Sequence, residues 1–424
     1  MAETRTLDEW LTWQESLHPT TIELGLARVN AVYARLNLAR VTHLSIVVGG
    51  TNGKGSSVAL LDSILREAGY RVGCYTSPHI LRYNERIKIA GRELSDDALC
   101  TAFARVDAAR GDVTLTYFEF GTLAALTLFA ESALDVVVLE VGLGGRLDAV
   151  NIVDAEVSLV TTIDIDHVEW LGPDREAIGY EKAGIYRPHR PAICGDPEPP
   201  QSLLQHARKI GAQLYVLGTD YTYEAQTTTW SWRSAQSVRR GLPHPNLRGR
   251  FQLQNAAAVL MALDSIKNQL PVTQDDVRRG LLQVALPGRF QLFTQPRRTI
   301  VDVAHNLQGA RALAQTLKEQ PCTGKTLAVF AMLRDKDIEQ VVGVLDGVVE
   351  RWHCAGLAVP RGLQGVELMQ RMSHIPLRGV VMLHSDVVEA YSAACEEAES
   401  VDRIVVFGSF YTVAQIMGEG IIAA

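Results

Sequence analysis

The run Val47-Val48-Gly49-Gly50-Thr51-Asn52-Gly53-Lys54-Gly55-Ser56-Ser57 sets one lysine among glycines, between an apolar stretch and a helical one. Glycines let a backbone close around phosphate oxygens, and a helix start with a lysine supplies positive charge, so the segment reads as a phosphate-binding loop. It departs from GxxxxGK[ST]: Val48 stands in place of the first glycine and Gly55 follows Lys54, so the pattern does not say which hydroxyl would meet a metal. An ordinary Gly-rich strand-to-helix turn is the bland alternative, and the lysine argues against it. The apolar run Asp135–Leu139 ends in Glu140, ahead of Val141-Gly142-Leu143-Gly144-Gly145-Arg146-Leu147-Asp148. A carboxylate closing a buried strand near a phosphate loop suits a Mg²⁺ ligand or the activation of a metal-bound water. A dinucleotide fingerprint is excluded because Leu147 stands where GxGxxG needs its last glycine.

Further polar clusters follow other strand candidates. Tyr75-Thr76-Ser77-Pro78-His79 precedes Asn84-Glu85-Arg86-Ile87, and Thr161-Thr162-Ile163-Asp164-Ile165-Asp166-His167 precedes Glu181-Lys182-Ala183-Gly184-Ile185. Ligands of open α/β sheets bind just beyond the carboxyl ends of the strands. Each cluster could equally be a self-bonded loop, and a lone histidine is more often structural than a metal ligand. Asp302-Val303-Ala304-His305-Asn306 reads either as a ligand group or as a helix N-cap.

Elements must position these groups. Short β-branched runs alternate with helical segments up to about residue 290, the pattern of an α/β domain with a mostly parallel sheet. Strands are expected at Leu44–Val48, Val72–Tyr75, Val136–Val141 and Val157–Thr162, and helices at Ser57–Ala68, Ser95–Arg110 and Phe120–Ser132. Tyr221–Ser234, rich in Thr and Trp, predicts an antiparallel hairpin appended to that sheet. Phe251–Asn255 leads into a helix to Ile266, and Leu286-Pro287-Gly288-Arg289 breaks the pattern. A second βα series follows at Thr299–Val303, Leu327–Phe330, Val380–Leu383 and Arg403–Phe407, so the expected domains are residues 1–296 and a Rossmann-like 297–424.

The chain has 424 residues, 47% hydrophobic and 21% charged, with 41 Lys and Arg against 48 Asp and Glu, a net charge of −7. That composition suits a globular protein with a large core and supplies no basic field for nucleic acid or an anionic membrane. No apolar run approaches the roughly 18 residues of a membrane span, and the charged N-terminus Met1–Trp10 is unlike a secretory signal. Six cysteines without a CxxC pair fit free thiols. The expectation is a cytoplasmic, monomeric protein that takes small molecules.

In order, the segments Gly50–Ser56 (GTNGKGS), Tyr75–His79 with Asn84–Ile87, Glu140–Ala149 (EVGLGGRLDA), Asp164–His167, Glu181–Ile185 (EKAGI), Leu286–Arg289 (LPGR), Asp302–Asn306 (DVAHN) and Asp335–Asp337 (DKD) resemble the folylpolyglutamate synthase and dihydrofolate synthase family of the Mur ligase superfamily. The resemblance covers essentially the whole chain. It implies an N-terminal P-loop ATPase domain, a C-terminal Rossmann-like domain, and ATP-dependent amide formation between a pteridine carboxylate and the amine of L-glutamate. The γ-phosphoryl group of ATP passes to the carboxylate, and the amine displaces phosphate from the acyl phosphate.

Carried over position by position, the resemblance implies that Thr51, Asn52, Gly53, Lys54, Gly55 and Ser56 contact ATP, with Asn255, Arg289 and Asp302 also reaching the nucleotide. Ser77 and Glu140 would hold one Mg²⁺ and His167 a second, with Lys54, Glu140, His167 and Lys182 as the catalytic set and Lys182 carbamylated. It further implies two activities, making dihydrofolate from dihydropteroate and extending reduced folates with glutamate. Ser16, Leu17, His18 and Pro19, with Thr116, Tyr117, Phe118, Glu119, Leu147, Asp148 and Ala149, would line the dihydropteroate pocket. Phe118 offers a wall for a flat pterin and Asp148 an acceptor for its N–H groups, although a core aromatic and a loop cap are the bland alternatives. The two domains are expected to close on ATP. Alternatives are a monofunctional polyglutamate synthase, a cell-wall ligase acting on a UDP-sugar peptide, and a nucleotide-binding regulator without ligase activity.

Overall fold

The computed structural model describes residues 5–38, 44–320, 322–418 and 420–422; Met1–Thr4 of the charged N-terminal stretch lie outside them. The chain forms two compact α/β units. The first runs to His79, resumes at Tyr83–Asn246 and ends with Leu253–Val284; the second is Ala285–Ala424 with Ile80–Arg82 and Leu247–Gln252. The second unit therefore starts ahead of the expected boundary at residue 296. The reason is local: Gln291–Phe293 already pairs antiparallel with Thr299–Val301, and Val303 N–H donates to Gly288 O at 3.0 Å.

The first unit holds an eight-stranded sheet of β1 (Leu44–Gly49), β2 (Val72–Tyr75), β3 (Ile87–Ile89), β4 (Arg92–Glu93), β5 (Val136–Glu140), β6 (Val157–Val160), β7 (Pro191–Cys194) and β8 (Gln213–Val216), in the order β4-β3-β2-β5-β1-β6-β7-β8. β2, β5, β1, β6, β7 and β8 run parallel; β3 and β4 are antiparallel additions. Strands covered on both faces need apolar residues throughout, and every residue of β5 is buried. Val47, Val137 and Leu139 share a core with Trp10, Phe103 and Phe120 from the helices Leu7–Leu17, Asp96–Arg110 and Tyr117–Ala130. The helix Lys54–Glu67 packs against Gln274–Gln283 so closely that a Cβ at Gly280 would lie 2.6 Å from the Ile64 backbone.

Sequence expectations shift at several elements, and the helix expected from Ser57 starts at Lys54. The helix expected at Phe120 starts at Tyr117, because Thr116 and Glu119 form a capping box: Glu119 N–H donates to Thr116 Oγ1 at 3.3 Å and Thr116 N–H to Glu119 Oε2 at 2.8 Å. The hairpin expected from Tyr221 is a separate three-stranded sheet of β9 (Tyr221–Ala225), β10 (Thr229–Ser234) and β11 (Val238–Pro243). Trp230 and Trp232, two residues apart in β10, face the same side and are both buried, the extra residue of a bulge lying opposite them in β11, and Trp232 Nε1 donates to Ala257 O at 3.1 Å.

The second unit holds β12 (Gln291–Phe293), β13 (Thr299–Val301), β14 (Thr326–Phe330), β15 (Arg351–Ala355), β16 (Val380–His384) and β17 (Arg403–Phe407), in the order β12-β13-β17-β14-β15-β16. Only β12 is antiparallel to its neighbour, so the rest is the parallel, helix-covered arrangement of a Rossmann-like domain. No helix among the described residues is long and apolar enough to cross a membrane.

Candidate active site

The phosphate loop leaves β1 at Gly49 and enters the helix at Lys54. Glycine is required twice: a Cβ at Gly50 (φ +138°) would lie 1.9 Å from Thr161 Oγ1, and one at Gly53 (φ +86°) 2.5 Å from Asn255 Oδ1. The second contact brings Asn255, distant in sequence, to the loop. The loop is clamped to the end of β6. Thr51 N–H donates to Thr162 O at 2.7 Å, Thr161 Oγ1 to Asn52 O at 2.6 Å, and Asp164 N–H to Thr51 Oγ1 at 3.0 Å. Lys54 Nζ folds back over the turn to donate to Gly50 O at 3.0 Å and Thr51 O at 3.1 Å. A lysine over a loop whose helix follows at once is an arrangement that suits an anion.

β5 and β2 are adjacent, and their ends meet: the Ser77 amide donates to Glu140 Oε2 at 3.2 Å. Glu140 is buried at the last position of β5, opposite Val48 of β1. A carboxylate beside a serine, next to a phosphate loop, is a hard oxygen set that fits Mg²⁺, which takes one or two carboxylates and completes its shell with phosphates and water. Among the described residues no three His, Cys, Asp or Glu side chains cluster as a closed metal cage. His167, with φ +52°, opens the short helix Val168–Leu171, and its Nε2 lies 4.0 Å from Asp166 Oδ1.

Lys182 sits in the last turn of the helix Arg175–Ala183, whose start is capped by Asp174. That turn is pinned to the Gly142–Asp148 loop. Arg146 N–H donates to Glu181 O at 2.7 Å, the Arg146 guanidinium pairs with the Glu181 carboxylate at 2.9 Å, and Asn151 Nδ2 donates to Gly184 O at 3.0 Å. A Cβ at Gly145 would lie 2.8 Å from Glu181 O, and one at Gly184 2.6 Å from Arg146 Cα, so the two glycine-bearing motifs are halves of one contact. Lys182 is buried, and that burial, with Lys54 adding repulsion against the pull of Asp166 and Asp148, pushes its amine down to about 7.

The segments expected to line a pterin pocket also converge. Phe118 stacks on Tyr75 with centroids 5.8 Å apart, and a Cβ at Gly142 would lie 2.6 Å from the Phe118 ring. Asp148 is buried; its Oδ2 accepts from Leu143 N–H at 2.9 Å and its Oδ1 from Val150 N–H at 3.0 Å. Burial pushes its carboxyl up to about 7 while those amides pull the other way. Asp148 therefore is a loop cap, whatever else it binds. Of Ser16–Pro19, His18 reaches Thr114 Oγ1 at 2.9 Å, whereas Ser16 Oγ bonds Trp13 O in its own helix, Leu17 packs in the core and Pro19 is exposed. The N-terminal residues that meet the other two segments come later: Gly25 N–H donates to Leu147 O at 3.2 Å, and Arg28 Nη2 pairs with Glu119 Oε1 at 3.1 Å. The sequence reading missed them, and nothing local marks Arg28, one of two arginines in Ala27–Leu36, apart from its place in the first turn of that helix.

In the second unit Asp302 joins two motifs. Its Oδ2 accepts from Phe290 N–H at 2.9 Å and its Oδ1 from Ala304 N–H at 2.8 Å. Its carboxyl is raised by burial, against the pull of the Arg289 guanidinium, which lies 5.1 Å over the Phe410 ring. His305 Nδ1 bonds Val303 O at 2.8 Å, and Asn306 is the N-cap of the helix Leu307–Glu319. Asp337 likewise caps Ile338–Leu345, and Asp335 pairs with Arg361 at 2.6 Å.

Comparison with known proteins gives the family. Residues 48–263 match the family described as Mur ligase middle domain, and residues 288–410 match Mur ligase, glutamate ligase domain. The chain is 45% identical over 411 residues to the dihydrofolate synthase/folylpolyglutamate synthase of Escherichia coli, covering 97% of this chain and 94% of that one. It superposes on E. coli FolC in complex with DHPP and ADP with a TM-score of 0.92 at 45% identity, over 98% of this chain and 97% of the other. A bifunctional folylpolyglutamate synthase/dihydrofolate synthase with Mn, AMPPNP and L-glutamate bound gives a TM-score of 0.90 at 44% identity, over 98% of each chain. With its phosphate loop, carboxylate-ended strand and lysine-bearing helix in the same fold, the chain belongs to the dihydrofolate synthase/folylpolyglutamate synthase family of Mur ligases.

Proposed function

We infer that this protein is an ATP-dependent ligase that joins L-glutamate to dihydropteroate, forming dihydrofolate, and to reduced folates, forming polyglutamates. The observation that carries the reading is the convergence of Lys54, Ser77, Glu140 and Asp164–His167 just beyond the carboxyl ends of β1, β2, β5 and β6. The acid's carboxylate oxygen attacks the γ-phosphorus and ADP leaves. The glutamate amine then attacks the acyl carbon, and phosphate departs with the acyl oxygen. No protein nucleophile is needed; two anions must be held together, and orientation and charge compensation supply most of the acceleration.

Thr51–Ser56 and Asn255 bind the nucleotide, and Lys54 compensates charge as the phosphoryl group moves. Arg289 and Asp302 also serve the nucleotide, a role supported by the way Asp302 ties the LPGR and DVAHN segments into one piece. Divalent metal, when bound, neutralises the phosphate oxygens. Ser77 and Glu140 would hold one Mg²⁺ and His167 a second. A hard cation prefers oxygen, so a carbamate on Lys182 would suit that second site better than an ammonium, and its depressed pKa supplies the neutral amine that carbamate formation requires. Phe118, Tyr117, Thr116, Glu119, Leu147, Asp148 and Ala149, with the segment after His18, form the pteroate pocket.

The protein acts in the cytoplasm, a reading supported by six unpaired cysteines, and is proposed to be a monomer. The test is phosphate release from ATP with dihydropteroate and glutamate present together or singly, with the product identified by mass. Release only with both, and dihydrofolate as product, supports the reading. Extension of folates without any use of dihydropteroate would make the enzyme a monofunctional polyglutamate synthase.

A further inference from the structure

Arg86 is buried, yet among the described residues no carboxylate pairs with it. Its Nε donates to His79 Nδ1 at 2.9 Å, and its guanidinium carbon lies 5.3 Å from the Tyr83 ring centroid and 5.4 Å from that of Tyr117. Tyr83 and Tyr117 meet edge to face with centroids 5.9 Å apart, so the fork is held on three sides by an imidazole and two aromatic rings. An imidazole that accepts at Nδ1 carries no proton there, so His79 fixes the fork without neutralising it. The two terminal nitrogens of the guanidinium have no acceptor among the described residues. Those nitrogens are not sealed from solvent, and a planar anion would meet them with paired, charge-assisted hydrogen bonds.

Its position says which anion. His79 follows the proposed metal ligand Ser77 by two residues, and Tyr117 precedes the proposed pterin wall Phe118. Arg86 also returns to the strand that carries this loop, because Thr76 N–H donates to Arg86 O at 2.9 Å. The arginine is thus held by two segments, one leading to the metal ligands and the other to the aromatic wall. On the proposed function, the group that connects those two places in the acid substrate is the benzoate or glutamyl arm, which bears the carboxylate.

We propose that Arg86, oriented by His79, is the anchor for a carboxylate of the acid substrate. It fixes the substrate's length and orientation between the pterin wall and the metal ligands. Tyr83 and Tyr117 keep the guanidinium planar to that carboxylate, and lysine, a point charge on a flexible stem, would not replace it.

The test compares equilibrium binding of dihydropteroate with that of the same compound lacking its carboxylate, in the presence of a non-hydrolysable ATP analogue. The wild-type protein should prefer the acid by about 10- to 100-fold, the range of paired charge-assisted hydrogen bonds. Arg86→Met, whose apolar stem still covers the tyrosine rings, should lose that preference while binding the decarboxylated compound as the wild type does. Arg86→Lys should keep the charge but recover only part of the preference, and it serves if Arg86→Met fails to fold. A full preference retained in either variant overturns the proposal, and so does equal loss of both ligands in a folded variant, which would make Arg86 a support for the aromatic wall. If the wild type binds neither compound, the functional reading itself fails, and that result is distinct from failure at Arg86.

Discussion

The backbone amide of Ser77 donates to Glu140 Oε2 at 3.2 Å, so the ends of two neighbouring parallel strands are joined through a side chain that is proposed to hold Mg²⁺. Glu140→Gln keeps an oxygen that can accept from that amide and removes the charge. Activity should fall by at least about 100-fold and the Mg²⁺ concentration for half-activation should rise several-fold, while the melting temperature stays within a few degrees. An unchanged Mg²⁺ dependence would make Glu140 a structural residue.

Lys54→Ala should lower ATP turnover by about 10²- to 10³-fold, the effect of removing one preorganised charge at a site of developing negative charge. Its Nζ also bonds Gly50 O and Thr51 O, so some nucleotide affinity should be lost as well. Steady-state kinetics with dihydropteroate and glutamate saturating will read both effects.

The Lys182 amine, pushed down to about 7 by burial, is half neutral near that pH, and only the neutral form attacks CO₂. Carbamate formation and kcat should therefore rise together as pH increases through about 7, and added bicarbonate should raise activity most on the acid side. Because the folded state binds fewer protons than the unfolded state between about 7 and the ordinary lysine value near 10, this group also makes the fold more stable as pH rises through that window. A carbon-13 carbamate signal from labelled bicarbonate, absent in Lys182→Ala and replaced functionally by a short added carboxylate, is the expected result. A protein fully active with bicarbonate rigorously removed would refute the modification.

Gly142→Ala would set a methyl group 2.6 Å from the Phe118 ring. The ring must move from Tyr75, so KM for dihydropteroate should increase by about 10-fold or more, as expected for a small displacement of a binding wall, while KM for ATP stays within about twofold. Equal increases in both would show that the glycine supports the loop generally and has no particular link to the pterin.

Asp148→Ala should weaken dihydrofolate synthesis more than polyglutamate extension, read as the ratio of kcat/KM for the two acids. The variant also leaves Leu143 N–H and Val150 N–H without their acceptor, at a cost of about 1–3 kcal/mol for each buried donor left unpaired. Asp148→Asn, which retains one acceptor oxygen, separates loss of the loop from loss of pterin binding.

The sequence alone determined the chemistry and the order of its parts. A lysine among glycines after an apolar run, a carboxylate closing another run, and a lysine-bearing helix are local patterns, and strands buried on both faces must be apolar wherever they occur. The capping box at Thr116 and Glu119 was equally legible, since its spacing is a local hydrogen-bonding rule, yet it was read only as a pocket wall. Tertiary structure decided which distant segments touch. Nothing in EVGLGGRLDA and EKAGI states that Gly145 and Gly184 exist so that Glu181 and Arg146 can approach, or that Asn255 fills the space a side chain at Gly53 would need. It also decided that Glu23–Arg28, and not Ser16 and Leu17, meet Glu119 and Leu147, because a loop's position follows from which backbone groups find partners across the fold. The depressed pKa of Lys182 and the raised one of Asp148 belong to the same class, since desolvation depends on what the whole chain packs around a group and not on its neighbours in sequence.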